Sequence, residues 1–207
     1  TIIQYDDGSL LKLPENTTIY GACSGDIPLP LIYEDKLNLL ENQKDCKIFS
    51  ERDILCSFIG SLTHTIRNKI YEKYKNNPNF RFIITNNWSA NITKNKQDDF
   101  INITNNSKFA LAPRGYGRSS FRFFEIFKLN CIPIYVWDDI EWLPYKDIIN
   151  YNDICITINI KDIDNLEDIL LTITEETYNK MLNKYNELKK LFYLDGMCKY
   201  IINDVNK

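Results

Sequence analysis

SKFALAPRGYGRSSFRFFEIFKLNCIPIYVWDD, residues 107–139, places two apolar runs on either side of a loop rich in glycine and arginine. The first run stops at Pro113, because proline has no N–H with which to continue a strand ladder. Phenylalanines at helical spacing follow the loop, and the second apolar run covers residues 131–136. A strand, a loop, a helix and a second strand in this order are typical of a parallel sheet.

The rest of the chain repeats this alternation of apolar strands and amphipathic helices. Further strands are predicted at 54–59, 79–87 and 153–160, and a helical stripe near the C-terminus predicts a core-facing helix. We therefore expect a Rossmann-like, mostly parallel α/β sheet with helices on both faces. Residues 51–207 would form this domain, and residues 1–50 a poorly defined N-terminal segment.

Two helix starts carry capping signals. Thr63 or Thr65 is expected to cap the helix after the 54–59 strand, because a threonine hydroxyl can accept from an unpaired N–H of the first turn. Thr172 and Glu175 have the spacing of a capping box before the last long helix.

Composition narrows the class of protein. The chain has 207 residues, 44% of them hydrophobic, and a net charge of −3. This mixed, slightly acidic charge argues against a nucleic-acid polymer as partner, since binding to phosphate backbones needs a basic face. No apolar run approaches the ~20 residues of a membrane span, so no transmembrane segment is expected in this chain.

Six cysteines show no metal-ligand spacing. Cys56, Cys131 and Cys155 lie within apolar runs and are expected to be buried thiols. Reduced cysteines favour a cytoplasmic location. Because the chain begins with Thr1 rather than Met, the secretory-pathway lumen is the alternative if an upstream anchor was removed.

The loop at 113–120 has the properties of an anion site. Ligands of such folds lie beyond the carboxyl ends of the strands, where the 60–67, 113–120 and 137–141 segments are expected. Gly115 and Gly117 would allow positive φ and a close approach of backbone to ligand. The remaining features are a helix N-terminus that Ser119 or Ser120 can cap and the positive charges of Arg114, Arg118 and Arg122. Together they predict a pocket for a phosphate or diphosphate.

The helix after the loop divides into two sides. Phe123, Phe124 and Phe127 share the face that should pack on the sheet. Arg122 and Glu125 are three residues apart and are expected on the opposite side. They form either an exposed salt bridge or, as we favour at a strand end, a site where Glu125 accepts both hydroxyls of a ribose.

A dinucleotide site competes with this interpretation. Gly115 and Gly117 form a Gly-x-Gly, and Asp138 and Asp139 follow roughly 20 residues later, as in a nicotinamide-dinucleotide fingerprint. The third glycine position is Ser120, and the motif lies in the middle of the chain rather than at its first strand–helix turn. A nicotinamide-type site therefore stays the weaker alternative.

The stretch at 107–149 resembles the signature of exostosin-like glycosyltransferases, family 47. The matching residues are Ser-Lys-Phe, Pro-Arg-Gly, Ser-Phe-Arg-Phe with its glutamate, Cys-Ile-Pro and Leu-Pro-Tyr. Upstream, LCSFIGSLTHTIRNKIYEKY resembles the family's Phe-x-Gly strand and loop with a following arginine. Asn130 replaces the family's glycine, and Tyr116 and Gly117 replace residues that are often basic.

This resemblance implies a GT-B glycosyltransferase that inverts the anomeric centre and uses a UDP-sugar donor with no other cofactor. Residues 51–207 would be its nucleotide-sugar-binding half, and residues 1–50 would lead into, or be left over from, the acceptor side. Gly60, Pro113 and Asp138 would line the donor site, and Arg67 would contact the diphosphate. The partners would be a nucleotide sugar and a glycan acceptor, and a partner domain or an oligomer could supply the acceptor site.

Three further features of the sequence bear on catalysis, metal binding and stacking. His64 could be the general base that an inverting transferase needs, or it could touch donor phosphate or nothing. Asp162 and Asp164 spell the DxD metal motif of another transferase fold, but they lie in a polar turn entering a helix. We read them as structural and predict no metal. Trp137 and Trp142 border the predicted site, whereas Trp88 is expected to be packing or loop surface.

Overall fold

The apolar runs of the sequence become strands of two parallel sheets. The computed structural model describes residues 1–32, 40, 43, 45–85 and 93–207. A small sheet in the N-terminal segment consists of β1 (Ile2–Ile3), β2 (Tyr20–Gly21) and β3 (Ile27–Pro28). The main sheet consists of β4 (Ile54–Ser61), β5 (Phe80–Thr85), β6 (Ser107–Pro113), β7 (Ile132–Trp137) and β8 (Ile156–Asn159), in the spatial order β5-β4-β6-β7-β8. The predicted parallel α/β fold is confirmed.

Helices connect the strands of the main sheet. The α-helices are α1 (Thr65–Tyr74), α2 (Lys94–Asn105), α3 (Phe121–Phe127), α4 (Leu166–Thr172), α5 (Glu175–Leu188) and α6 (Leu194–Val205). Short 3-10 helices cover Phe49–Glu51, Tyr151–Asp153, Ile160–Asn165 and Lys189–Phe192. Among the described residues, no helix has the length and apolarity needed to cross a membrane.

Both faces of the main sheet are covered, because alternate residues of its central strands point to opposite sides. Phe109 and Leu111 of β6 belong to a buried cluster that also contains residues of α1, α4 and α5. Ala110 and Ala112 belong to a second cluster with residues of α2, α3 and α6. Large and small residues thus alternate along β6, and the alanines leave room for the phenylalanines of α3.

The predicted helix caps were wrong by one or two residues. His64, between the two candidate threonines, is the residue that caps α1, and its Nδ1 accepts from the N–H of Ile66 at 3.3 Å. Thr174 caps α5 and accepts from the N–H of Thr177 at 3.2 Å. The hydroxyl or ring nitrogen must face the first turn, and the backbone path of each loop decides which residue does so.

One buried arginine ties several elements together at the amino end of the sheet. Arg52 is 2% exposed. Its guanidinium donates to the carbonyl oxygens of Lys47, Thr104, Ser107, Leu129 and Asn130. Thr104 lies in the last turn of α2, and Leu129 and Asn130 lie just beyond the end of α3. The C-terminal ends of helices carry partial negative charge and stabilise a cation.

The N-terminal segment packs against the main domain, although the domain boundary near residue 50 stays a prediction. The indole N–H of Trp142 donates to the carbonyl of Gly21 at 3.2 Å. The hydroxyl of Tyr20 donates to Asp204 of α6 at 2.7 Å. These contacts hold the small sheet against α6 and against the segment that follows β7.

Candidate functional site

The predicted ligand loops come together at one edge of the main sheet. β4 lies between β5 and β6, and β6 lies between β4 and β7. The chain therefore winds in one direction from β4 to β5 and in the other from β6 to β8. Ligands of open parallel sheets bind where this direction changes, beyond the carboxyl ends of the strands. His64 and Arg67 follow β4 at this point, and the arginine-rich loop follows β6.

Two arginines of the loop after β6 form one charged cluster with two aspartates that follow β7. Arg114 Nη1 bonds Asp138 Oδ1 at 3.0 Å and Asp139 Oδ1 at 3.0 Å. Arg118 bonds Asp139 Oδ2 through Nε at 2.9 Å and through Nη2 at 2.7 Å. The hydrogen bond to Arg118 holds the pKa of Asp139 well below its usual range. From the sequence, Asp139 is assigned only to a candidate dinucleotide fingerprint, and its pairing with the arginines is not predicted. The one signal for this pairing in the sequence is that Asp139 directly follows Asp138 just after a predicted strand.

Arg67 holds the backbone of the neighbouring loops. Its Nε donates to the carbonyl of Arg114 at 2.9 Å, Nη2 to that of Pro113 at 3.2 Å, and Nη1 to that of Ser61 at 2.9 Å. Burial, with the nearby charge of Arg122 as a second cause, lowers the pKa of Arg67 to about 10. The diphosphate contact predicted for this arginine is untested, and the observed contacts link the end of β4 to the Pro-Arg-Gly turn.

The placement predicted for Glu125 was wrong. Instead of facing solvent, Glu125 is 2% exposed and pairs with Arg122. Arg122 also donates from Nε to the carbonyl of Ile59 at 3.1 Å, and its guanidinium lies 4.1 Å from the centre of the Phe100 ring. α3 therefore turns its acidic residue towards β4 and α2. The reason is that Arg122, the partner of Glu125, is held there by contacts with residues distant in sequence, which helical spacing alone does not reveal.

The two glycines of the loop serve close packing and not left-handed backbone, which corrects the conformational prediction. Among the described residues, positive φ occurs in glycine at Gly8 and Gly25, and not at Gly115 or Gly117. A Cβ on Gly117 would lie 2.6 Å from the sulfur of Cys23 and 3.0 Å from a carboxyl oxygen of Asp6. The N-terminal segment thus presses directly on the loop, a contact that the sequence did not indicate.

The remaining loop residues have backbone roles. Pro113 ends β6, and Ser120 is the N-cap residue of α3 but makes no side-chain cap bond, so the predicted serine cap is not formed by Ser120. Ser119 precedes it without a side-chain hydrogen bond in the described structure. Gly60 lies inside β4, where a Cβ would come 3.1 Å from the Phe58 ring. α3 has seven residues, and the dipole of so short a helix is weak. The formal charges of the arginines therefore contribute more positive charge at this edge than the N-terminus of α3 does.

His64 lies beside the charged cluster. Its Nδ1 accepts the cap bond, so in the neutral ring the proton is on Nε2. Burial and the charge of Arg114 lower the pKa of His64, with Asp138 acting in the opposite direction. A neutral imidazole with a donor Nε2–H is therefore the form that this geometry favours at neutral pH.

Trp142 adjoins the cluster, as predicted. It is 6% exposed, and the guanidinium of Arg118 lies 5.9 Å from its ring centre. Trp137 ends β7, and Trp88 lies outside the described residues. Asp162 and Asp164 lie in the 3-10 helix Ile160–Asn165, where Asp164 pairs with Lys73 at 2.6 Å. In the described part of the chain, no group of three or more histidines, cysteines or carboxylates is arranged for a metal ion.

A cavity of about 400 Å³ opens beside the segment after the cluster and is lined mainly by residues 141–152. Its charged residues are Glu141, Lys146 and Asp147. Lys146 pairs with Glu141, and Asp147 leaves these three side chains with a net negative charge. The arginine cluster therefore suits a diphosphate better than this cavity does.

Comparisons with known proteins match the part of the chain that contains this site. The family model described as Exostosin GT47 domain matches residues 22–173. An exostosin-1 homolog of Caenorhabditis elegans is 25% identical over 178 residues, which cover 75% of this chain and 46% of that protein. A probable glycosyltransferase of Arabidopsis thaliana is 25% identical over 152 residues, covering 72% of this chain and 27% of that protein. The chain thus spans less than half the length of these relatives.

A solved structure gives a more distant likeness. The crystal structure of an α1,3-fucosyltransferase is 20% identical, with a TM-score of 0.41, and the match covers 64% of this chain and 37% of that one.

The cytoplasmic location predicted from the cysteines is wrong. It conflicts with the match to exostosins, which are glycosyltransferases of the Golgi lumen. The six cysteines are free, and Cys23, Cys56, Cys131 and Cys155 are buried. Burial raises the pKa of Cys131 to about 12, so this thiol is protonated and shielded from oxidants. Buried free cysteines therefore do not identify a reducing compartment.

Proposed function

The chain belongs to the exostosin GT47 family, and from this we propose that it moves a sugar from a UDP-sugar to a hydroxyl of a glycan acceptor. Inversion of the anomeric centre and independence of metal are part of the proposal. The chain would supply the donor-binding half. Because it spans less than half the length of the relatives above, we assign no complete acceptor site to it.

The convergence of Arg114 and Arg118 at the change of winding direction carries the proposal. Both guanidiniums reach one carboxylate there, with N–O distances of 2.7 to 3.0 Å. Arginine binds phosphate oxygens with the same paired N–H geometry that it uses for carboxylates. The site therefore suits a diphosphate, and Trp142, whose ring lies against the guanidinium of Arg118, adds an aromatic group beside it.

Transfer would proceed in one displacement. A base removes the proton of the acceptor hydroxyl, and the oxygen attacks the anomeric carbon as the bond to UDP breaks. Negative charge grows on the departing diphosphate, and fixed cations stabilise that charge more in the transition state than in the bound donor. Arg114 and Arg118 would give this stabilisation, which is the task that a metal performs in DxD transferases.

His64 fits the leaving-group side better than the role of base. Its Nδ1 is occupied by the helix cap, and its Nε2–H can donate but not accept. We therefore assign His64 a hydrogen bond to donor phosphate, and leave the base to the acceptor side.

The decisive experiment is a calorimetric titration with UDP, GDP, ADP, NADH and UDP-sugars, with and without EDTA. We expect UDP and a UDP-sugar to bind, EDTA to have no effect, and NADH not to bind. Arg118→Ala should weaken UDP at least about tenfold, since a charged hydrogen bond contributes ~1.5–3 kcal/mol. Arg81→Ala is the control, because Arg81 is an exposed arginine of β5.

Three results would count against the proposal. Binding of NADH but not UDP would favour a dinucleotide enzyme. A large loss of UDP binding in EDTA that manganese restores would contradict metal independence. UDP binding with neither donor hydrolysis nor transfer to any glycan, in the full-length protein, would indicate a binding module.

A further inference from the structure

The carboxylate of Asp139 occupies the position in which the two arginines would hold an anion. We call Arg114, Arg118 and Asp139 the clamp. Arg118 binds one carboxyl oxygen of Asp139 through two nitrogens, at 2.9 and 2.7 Å. Arg114 binds the other oxygen at 3.0 Å. A phosphate group would use the same donors, because oxygens of both groups accept from the guanidinium edge.

Charge balance shows that the clamp is already neutralised. Its two arginines face Asp138 and Asp139, so the four side chains sum to zero. A diphosphate that approached without displacing a carboxylate would find no net positive charge. It would also bring phosphate oxygens against Asp139, and repulsion between like charges at such distances is unfavourable.

The two aspartates differ in how far solvent reaches them. Asp138 accepts the backbone N–H of Asp139 at 2.8 Å, and its side chain is 30% exposed. The Asp139 side chain is 43% exposed, so water and solutes reach its carboxylate. The Nε of Arg114 is buried and has no hydrogen-bond partner among the described residues. The carboxylates therefore satisfy this arginine only in part.

We propose that Asp139 is a resident anion of the empty clamp, and that a nucleoside diphosphate displaces it on binding. This rests on the proposed function, since the ligand is the diphosphate of the donor. Asp139 then lowers the affinity for the donor and for the nucleoside diphosphate product alike. It also means that a ligand needs enough negative charge to displace a carboxylate. A diphosphate can replace a singly charged carboxylate at two arginines, whereas a nucleoside monophosphate does so less well.

The strongly lowered pKa of Asp139 means that the competition persists at every physiological pH. Movement of the carboxylate must break its bonds to the two arginines and to Ile140, whose N–H Asp139 Oδ1 accepts at 2.7 Å in the bend that follows β7. Asparagine at position 139 keeps an oxygen for this N–H and removes the negative charge. Asp139→Asn is therefore the informative variant.

The test measures the affinity of UDP, UMP and inorganic pyrophosphate for wild type and for Asp139→Asn at low salt. We expect the variant to bind UDP and pyrophosphate about fivefold more tightly. In the wild type the ligand must first break the half-exposed ion pairs between Asp139 and the two arginines, and in the variant these pairs are absent. UMP should gain more than UDP. Glu141→Gln is the matched control, because it removes one nearby negative charge that pairs with Lys146 and not with the clamp.

Weaker UDP and pyrophosphate binding in Asp139→Asn would overturn the inference, because Asp139 would then be positioning the arginines. An equal gain in Glu141→Gln would also overturn it, because the effect would be one of general charge. If pyrophosphate shows the expected gain but UDP binds neither protein, the proposed function fails, and the displacement of Asp139 holds only for a diphosphate anion that is not part of a nucleotide. If folded wild type and variant bind neither ligand, both fail.

Discussion

Removal of the buried carboxylate of Glu125 should affect both stability and nucleotide binding. The informative variants are Glu125→Ala and the double variant Arg122→Met with Glu125→Met. Glu125 is 2% exposed, and its partner Arg122 also donates to the carbonyl of Ile59. The single variant leaves a guanidinium without its counter-charge at the end of β4, and the double variant removes both charges.

The magnitude follows from the burial of the pair. Breaking a buried ion pair by removing one partner costs ~3–5 kcal/mol, because the remaining charge stays desolvated. The Arg122 side chain is 23% exposed, so water solvates it in part and the lower value applies. A loss of about 3 kcal/mol in a domain of this size corresponds to a decrease of roughly 6–12 °C in melting temperature. Replacing both residues with methionine should recover part of this loss, because no charge is left buried, although the carbonyl of Ile59 then lacks its donor.

The assay combines thermal melting of the free protein with UDP titration. If Glu125 also accepts ribose hydroxyls, Glu125→Ala weakens UDP at least about tenfold, and the double variant, although stable, does not regain affinity. Recovery of UDP affinity in the double variant would mean that Glu125 acts through packing alone. Glu176→Ala is the control for a surface pair, because Glu176 and its partner Lys180 are exposed. A melting temperature of Glu125→Ala equal to that of this control would refute the buried pair.

Three further predictions follow from the described contacts. The pKa of His64 is lowered in the fold, so the unfolded chain binds more protons, and the melting temperature should fall as pH drops through the ordinary histidine range. His64→Asn, which can still cap α1, should flatten that dependence and weaken UDP, whereas His64→Gln should melt lower but retain UDP. Gly117→Ala should loosen the N-terminal segment, because its Cβ would meet Cys23, and limited proteolysis before residue 32 should accelerate unless Cys23→Gly is added. Arg52→Met should lower the free energy of unfolding in urea by at least about 3 kcal/mol. Arg52→Lys should lower it less, and the exposed Arg81→Met almost not at all. Equal losses in all three variants would contradict the role of the five carbonyl contacts.

The strands and the location of the loops could be predicted because they depend on local patterns. A run such as 109–112 has no polar residue to tolerate exposure, so it must lie within a sheet covered on both sides. Parallel strands with helical connections then require the loops after β4, β6 and β7 to meet at one edge. The convergence of Arg67, Arg114 and Arg118 follows from this topology without any knowledge of side-chain contacts.

The side-chain partners could not be predicted, because they depend on residues distant in sequence. Glu125 is buried because Arg122 reaches Ile59, which lies 63 residues earlier. Gly117 is confined by Cys23 of the N-terminal segment. Helical spacing correctly separates two faces of α3, but it cannot tell which of them meets solvent when a buried ion pair is available. For the same reason the sequence alone allows His64 to be a base, whereas its cap bond to the N–H of Ile66 makes Nδ1 an occupied acceptor.

The arginines at the carboxyl edge form two chemically different sets. Arg67 and Arg122 donate to backbone carbonyls of Ser61, Pro113, Arg114 and Ile59, and moving either side chain would leave buried carbonyls without a donor. Such contacts are costly to exchange, so these two arginines fix the shape of the site. Arg114 and Arg118 pair with carboxylates that solvent reaches, and an incoming anion can take the place of a carboxylate without leaving any acceptor buried and unpaired. A site that binds and releases a diphosphate in every turnover needs both sets. Exchange of anions at Arg114 and Arg118 is useful only if Arg67 and Arg122 hold the surrounding loops in place.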